Sequence, residues 1–148
     1  MAATAWTVYS NAALEITNGS FDLASNTFYV ILLTASYTPA PNTDTLYSDI
    51  SANEVAAGSG YATGGVTLTG VTNTLSGGTV TFNSANPSWA SFSATFRYAA
   101  IIQRAGASPA GTDKLLCYTD SGTSITGGGG TFTITMNASG IFTATHSP

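Results

Sequence analysis

The sequence has very little charge. Only 7% of its 148 residues are charged, with three Lys or Arg and seven Asp or Glu, and the net charge is −4. Ordinary soluble domains are about 25% charged, so Thr, Ser, Asn, Gly and Ala must form most of this surface. Proteins that bind a phosphate backbone need clustered Lys and Arg. We therefore expect no binding to nucleic acid, and a surface that suits a subunit assembled soon after synthesis.

Residues that carry most enzyme and metal chemistry are also scarce. The chain has one cysteine, Cys117, and one histidine, His146, which lies near the C-terminus. One cysteine cannot form an intrachain disulfide, and one Cys with one His cannot form the usual zinc site. A catalytic triad would depend on His146, where the rigid orientation of the base is hard to achieve. We predict no enzyme activity, no cofactor and no metal site. A glycosidase with two carboxylates is a weaker alternative, since no spacing singles out a pair.

Long apolar segments are missing as well. The longest apolar run, FYVILL, has the length of a strand and falls far short of the ~18 residues of a membrane-spanning helix. Residues 1–16 contain neither the cationic region nor the apolar region of a signal peptide. We therefore expect a protein that is made in the cytoplasm and does not enter a membrane.

What the sequence does contain is short β-strand patterns separated by Gly, Ser and Pro. Residues 27–35 form a continuous β-branched and aromatic run, which is typical of a strand that is buried on both faces. Further strands are predicted at 65–71, 77–84, 93–104 and 114–122, followed by a flexible turn at 124–130 and a hairpin at 131–144 that turns at 137–140. Residues 10–19 predict a short helix, with Ser10 or Asn11 as its cap.

These patterns together predict an all-β fold. The expected architecture is an antiparallel β-sandwich, jelly-roll-like or β-barrel domain with one short N-terminal helix. No linker divides the chain, so we predict one β-rich domain over residues 1–148, with residues 1–9 as an N-terminal arm.

Two of the three cations lie in the segment SATFRYAAIIQR, residues 93–104. Both faces of this strand are mostly apolar, which predicts a central strand. Arg97 would lie partly buried in it and would require a carboxylate partner. The predicted partners are Asp49, Glu54 and Asp120. We expect a structural ion pair here rather than a catalytic site. Arg104 lies at the edge of a loop, where it can stay solvated or contact a neighbouring subunit.

Aromatic residues make up 11% of the chain, and several of them flank predicted turns. Exposed Tyr and Trp side chains on a β-surface can form an interface or stack against sugars. The candidates for such an interface, together with Arg104, are Trp6, Tyr37, Tyr47 and Trp89. The alternative is that these rings cover the edges of the core.

The order of the segments resembles small virion proteins of tailed bacteriophages, some of which are capsid decoration, or cement, proteins. The resemblance covers about residues 10–144. It lies in the run FYVILLTASYTP…DTLYSDISANEVAAGSGYATGGVTLTG, followed by W…FRYAAIIQR, by LLCYTDSG, and by a Gly-rich turn with FTITMNASGIFT. It includes no catalytic signature. For a decoration protein it implies a β-rich subunit, commonly a trimer, seated at three-fold or quasi-three-fold positions of the shell. Members of this group usually carry more charge than this chain.

The resemblance therefore implies a virion structural protein, made in the host cytoplasm and placed at the capsid surface. Its partners would be the major capsid protein and further copies of itself, with a trimer favoured. The N-terminal arm, the edge strands and the loops at 36–48 and 105–113 would provide the contacts. The alternative is a tail- or fibre-associated β-domain that binds host surface glycans through exposed Tyr and Trp.

Overall fold

The computed structural model describes residue 1 and residues 5–145, which form two helices and ten strands. The helices are α1 (Ser10–Thr17) and α2 (Tyr47–Ile50), and α2 continues into a 3₁₀ turn over Ser51–Asn53. The strands are β1 (Thr7–Val8), β2 (Phe28–Leu33), β3 (Val66–Thr67), β4 (Thr72–Ser76), β5 (Thr79–Asn83), β6 (Ser88–Trp89), β7 (Thr95–Gln103), β8 (Lys114–Thr126), β9 (Phe132–Thr133) and β10 (Phe142–Thr145). His146 and part of the predicted arm lie outside the described residues.

The largest sheet has five antiparallel strands in the order β1-β8-β7-β2-β3. As predicted, β7 lies in the middle, between β8 and β2, and its residues Tyr98 to Ile102 are buried. β2 pairs with β7 along its whole length, from Phe28 opposite Gln103 to Leu33 opposite Tyr98. Continuous apolar runs can be covered on both faces, which is why these two strands form the centre of the molecule.

Two smaller sheets complete the fold. One has three strands in the order β10-β5-β4, and the other pairs β6 with β9. The hairpin predicted at residues 131–144 is therefore wrong, because β9 pairs with β6 while β10 pairs with β5. The alternation at these residues does indicate strands, but β9 and β10 each pair with a strand that is distant in the chain. The predicted flexible turn at 124–130 is also shorter than expected, since β8 extends to Thr126.

The two faces of the central sheet are covered differently. On one face Phe28 packs edge-to-face against Phe82 of the three-stranded sheet, with 5.6 Å between ring centroids. On the other face Tyr98 packs edge-to-face against Tyr37 of the loop that follows β2, at 5.4 Å. Sheets packed on one another in this way confirm the all-β, sandwich-like prediction.

The predicted helix is present, but its cap differs from the expectation. α1 begins at Ser10, and Tyr9 occupies the N-cap position in an extended conformation without a side-chain hydrogen bond to the helix. Asn11 instead donates to Glu15 one turn later, at 3.1 Å. At the other end Asn18 is the C-cap, and Gly19 takes the left-handed conformation, with a φ of 80°, that commonly ends a helix.

Candidate functional site

The first predicted site is the ion pair of Arg97, and the structure gives it one partner. Arg97 donates to both carboxylate oxygens of Asp120, from Nε at 2.9 Å and from Nη2 at 3.0 Å. Arg97 lies on β7 and Asp120 on β8, where Tyr98 is opposite Asp120 and the register is then interrupted. The bidentate geometry is the strongest form of this contact. It lowers the pKa of the Asp120 carboxyl and raises the pKa of Arg97.

This pair is less buried than the sequence suggested. The side chains of Arg97 and Asp120 are 34% and 37% exposed. Arg97 lies near the start of β7, where the register with β8 is irregular, and its guanidinium stays partly accessible to solvent. Ser121 also bonds to this strand, donating to the Arg97 carbonyl at 2.7 Å. The contact joins two neighbouring strands.

Asp49 does not pair with Arg97, because its carboxylate caps α2. Its Oδ2 accepts from the Leu46 N–H at 2.9 Å and from the Thr45 N–H at 2.8 Å. These two backbone donors lower the pKa of Asp49, with Leu46 the larger cause. Asp49 therefore holds the first turn of a four-residue helix, for which an N-terminal carboxylate is well suited.

Glu54 also has other partners, and they form a hydrogen-bonded cluster. Its carboxylate accepts from the hydroxyl groups of Tyr47 and Tyr61, the latter at 2.6 Å, and from the Gly64 N–H at 2.7 Å. The Tyr61 oxygen in turn accepts from the Leu32 N–H of β2 at 3.1 Å. Burial, together with the neighbouring Glu54, raises the pKa of both tyrosines. The cluster ties residues 47–64 to the side of the central sheet.

Arg104 belongs to the same region and is buried, at 5% exposure, so the prediction of a solvated or intersubunit position is corrected. It donates to the carbonyls of Gly64 at 3.1 Å, Gly106 at 3.1 Å and Ala107, and it lies 3.6 Å from the ring centroid of Tyr29. Three carbonyls and a ring face satisfy a guanidinium without a carboxylate in contact. Arg104 thus holds the loop after β7 in place.

Gly64 connects the Glu54 cluster to Arg104 through its own peptide groups. Its N–H donates to Glu54, while its carbonyl accepts from Arg104. Its φ of +85° favours glycine, and a Cβ there would lie 2.5 Å from Arg104 Nη1. Carboxylate, peptide and guanidinium therefore form one connected unit at the side of β2.

A second cluster fixes the loop at residues 36–48. The Tyr9 and Tyr37 hydroxyl groups lie 3.0 Å apart, and Tyr37 donates to Asp44 at 2.7 Å. Asp44 also accepts from the Ala40 N–H at 3.1 Å. Burial is the main cause that raises the pKa of Tyr9 and of Tyr37. Both loops that were expected to make external contacts are therefore held in fixed shapes.

The aromatic residues predicted to form an interface are buried within the chain. Their exposures are 8% for Trp6, 4% for Tyr37, 7% for Tyr47 and 3% for Trp89. The alternative reading is the correct one, since these rings complete the core. Trp89, for example, packs with Phe92 and Phe132 at centroid distances of 6.3 and 5.9 Å. They leave little aromatic surface for a partner or a sugar.

Another surface lacks charged side chains, and we call it the uncharged sheet: β4, β5 and β10. No Asp, Glu, Lys, Arg or His occurs in residues 55–96 or 121–145. One face of the sheet carries hydroxyl side chains, including Thr74, Thr81 and Thr143, which are neighbours in the register. The other face carries Leu75 and Val80, which are 73% and 38% exposed.

The sequence analysis predicts the strand β5 of this sheet but not the uncharged surface to which it belongs. The signal was present in the 42-residue run without a charged side chain, residues 55–96. Val80 and Phe82 lie on one face of β5, where Phe82 is fully buried and Val80 is partly exposed. The apolar face therefore starts in the core and continues into solvent toward the turn at Gly77 and Gly78.

In residues 1 and 5–145, no helix is long and apolar enough to cross a membrane. The same residues contain no group of three or more His, Cys, Asp or Glu side chains that could hold a metal ion. Compared with known proteins, the chain matches no family model, no curated protein and no solved structure.

Proposed function

We propose that this chain is a structural subunit of a bacteriophage virion, a decoration protein that binds neighbouring major capsid subunits and stabilises the shell. The observation that carries the proposal is the uncharged sheet, whose hydroxyl face carries no charged side chain. Such a surface can be buried against a partner with little cost of removing charges from water. Many copies on one shell add avidity, so each contact can be modest.

The proposal includes homo-oligomerisation, and the trimer implied by the resemblance stays a prediction. In this proposal the hydroxyl face of the uncharged sheet meets the capsid, while the loops at 36–48 and 105–113, on the opposite side of the central sheet, contact neighbouring subunits. The shapes of these loops are set before binding, because Tyr37 and Asp44 hold the first loop and Arg104 holds the second. A preorganised surface loses less conformational entropy on binding.

The glycan-binding alternative has lost the feature that suggested it. It required exposed Tyr and Trp, and the four candidate rings are at most 8% exposed. No other observation in the described residues favours a sugar-binding site.

Two experiments test the proposal. Electron microscopy of the phage that encodes the chain should show a β-rich density of this size on the head, and deletion of the gene should lower the temperature at which heads release DNA. Binding of the purified protein to undecorated heads should change little between about 0.1 M and about 1 M salt, because few charges take part. Density on the tail, or heads of unchanged stability, would contradict the proposal.

A matched pair of variants locates the contact. Thr143 is exposed on the hydroxyl face of β10. Thr143→Glu should weaken head binding by about tenfold or more, because a carboxylate would be buried without a partner. Thr143→Gln has a similar size without the charge and should bind nearly as the native protein does. Equal binding by both variants would show that this face is not the one in contact.

A further inference from the structure

The outermost strand of the uncharged sheet, β4, has an open edge. The strand order is β10-β5-β4, and no other strand of the described chain pairs with the far side of β4. All five of its residues are exposed. The opposite edge strand, β10, lies beside α1, since Ala13 and Ile16 line one groove with Phe142 and Ala144. The open edge of this sheet is therefore β4.

The turn between β4 and β5 determines which backbone groups point outward. Gly77 and Gly78 form a two-residue turn with positive φ angles of 56° and 79°. Residues that flank such a turn form a hydrogen-bonded pair, and pairs then alternate along the ladder. Ser76, Thr74 and Thr72 therefore bond to β5. The N–H and C=O groups of Asn73 and Leu75 point away from it.

This edge lacks the features by which proteins usually prevent strand addition. Such edges carry Lys, Pro, a bulge or a covering loop. β4 has the sequence TNTLS, with no charge and no proline, and its register with β5 is continuous over five residue pairs. Its only large side chain, Leu75, is 73% exposed.

We propose that β4 pairs antiparallel with β4 of a second copy of this chain, about a two-fold axis at Thr74. In this register Asn73 lies opposite the partner's Leu75, and Leu75 lies opposite the partner's Asn73. The four outward backbone groups of each copy then form four hydrogen bonds. Thr74 faces its own equivalent across the axis, in the closer, non-hydrogen-bonded type of pair that favours Thr–Thr contacts. The two three-stranded sheets become one of six strands.

A second copy fits this edge because the strand is complementary to itself. Both copies have a net charge of −4, but no charged side chain lies on β4, β5 or β10. The two edges can therefore meet without repulsion between like charges. The exposed side chain of Leu75 would be partly buried against the partner's sheet, and burial of apolar surface favours association. An interface of this kind is a symmetric contact in which the same patch serves both subunits.

The pairing does not depend on the capsid proposal, and on a shell it would link subunits across a two-fold axis. A single strand edge buries less than the ~1,200 Å² of a stable dimer. We therefore expect a concentration-dependent dimer. Sedimentation equilibrium from about 10 µM to about 1 mM should show a mass that rises from 15.0 kDa toward twice that value.

Two variants should abolish this rise by different routes. Asn73→Pro removes an outward N–H and leaves the bonds to β5 in place, because proline is tolerated at the open side of an edge strand. Leu75→Lys adds a charge at the edge where the native residue is already exposed. Each variant should weaken association by about tenfold or more while the thermal midpoint and circular dichroism stay native-like.

The control is Ala144→Lys, which adds the same charge to the same sheet face on β10, two strands from the edge. Its dimerisation should stay within about twofold of the native value. A native protein that is monomeric at every concentration would overturn the proposal and leave the edge to a strand of another protein. A dimer or trimer that persists in both Asn73→Pro and Leu75→Lys would overturn it equally.

Discussion

Four buried tyrosines should make this protein unfold abruptly in alkali. Tyr9, Tyr37, Tyr47 and Tyr61 are each at most 7% exposed. Burial raises the pKa of all four above the ordinary value of 10, and the carboxylate of Glu54 adds to the effect at Tyr47 and Tyr61. In the unfolded chain the same phenols ionise near pH 10. The folded state therefore keeps four protons that the unfolded state releases.

The magnitude follows from this proton difference. A group with a raised folded pKa contributes its full stability below the unfolded pKa, so nothing is lost up to about pH 10. Above it, each phenol lowers the free energy of unfolding by about 1.4 kcal/mol per pH unit, and four lower it by about 5.5. A domain with about 5–15 kcal/mol of stability should then unfold within about one to three pH units. The buried thiol of Cys117, whose pKa burial also raises, adds a smaller loss that begins near pH 9, because the thiol of the unfolded chain ionises there.

The assay is a pH titration followed by two signals, the ultraviolet absorbance of tyrosinate and the circular dichroism of the sheets. The absorbance of the buried tyrosines should appear in one cooperative step that coincides with loss of the dichroism signal. Tyr37→Phe removes one titrating phenol and should reduce the slope of unfolding free energy against pH by about 1.4 kcal/mol per unit. A smooth titration of all tyrosines near pH 10 in a still-folded protein would refute the reasoning.

Two further predictions contrast the arginines of the segment at 93–104. Arg97→Met should leave the thermal midpoint almost unchanged, because the pair with Asp120 is about one-third exposed and such pairs contribute little; a large drop in a melting experiment would show that the pair holds the strands together. Arg104→Met should lower the free energy of unfolding by about 3 kcal/mol in urea titrations, because three carbonyls and the face of Tyr29 lose a buried cation. A loss below about 1 kcal/mol would mean that water replaces those bonds.

The central part of the fold could be predicted because it is encoded locally. Residues 27–35 and 93–104 are apolar on both faces, and only a strand in the middle of a layered structure can bury both. Asp120 was among the partners expected for Arg97, since few carboxylates were available. What the sequence could not provide was the depth of this pair, which depends on the interrupted register between β7 and β8.

The errors concern contacts between distant segments. The pattern at residues 131–144 shows strand alternation, but not that β9 pairs with β6 and β10 with β5. Arg104 was expected to be solvated or in a subunit contact, because the sequence does not show its acceptors. Two of these carbonyls lie in the loop that follows Arg104, and the third, that of Gly64, lies 40 residues earlier. Every residue has a backbone carbonyl, so the sequence does not show which carbonyls bind an arginine, whereas the few carboxylates can be considered one by one.

The placement of the charges supports the proposed role of the remaining surface in assembly. The three cations all have partners within the chain: Arg97 with Asp120, Arg104 with carbonyls, and Lys114 with Glu15 at 3.0 Å. The other acids also bond internally, to tyrosines, to helix and loop N–H groups, or to Ser25. The charged residues are thus used to fix loops and strands. In the proposed assembly a partner would therefore be recognised by shape, hydroxyl groups and open backbone edges, and such recognition should tolerate high salt.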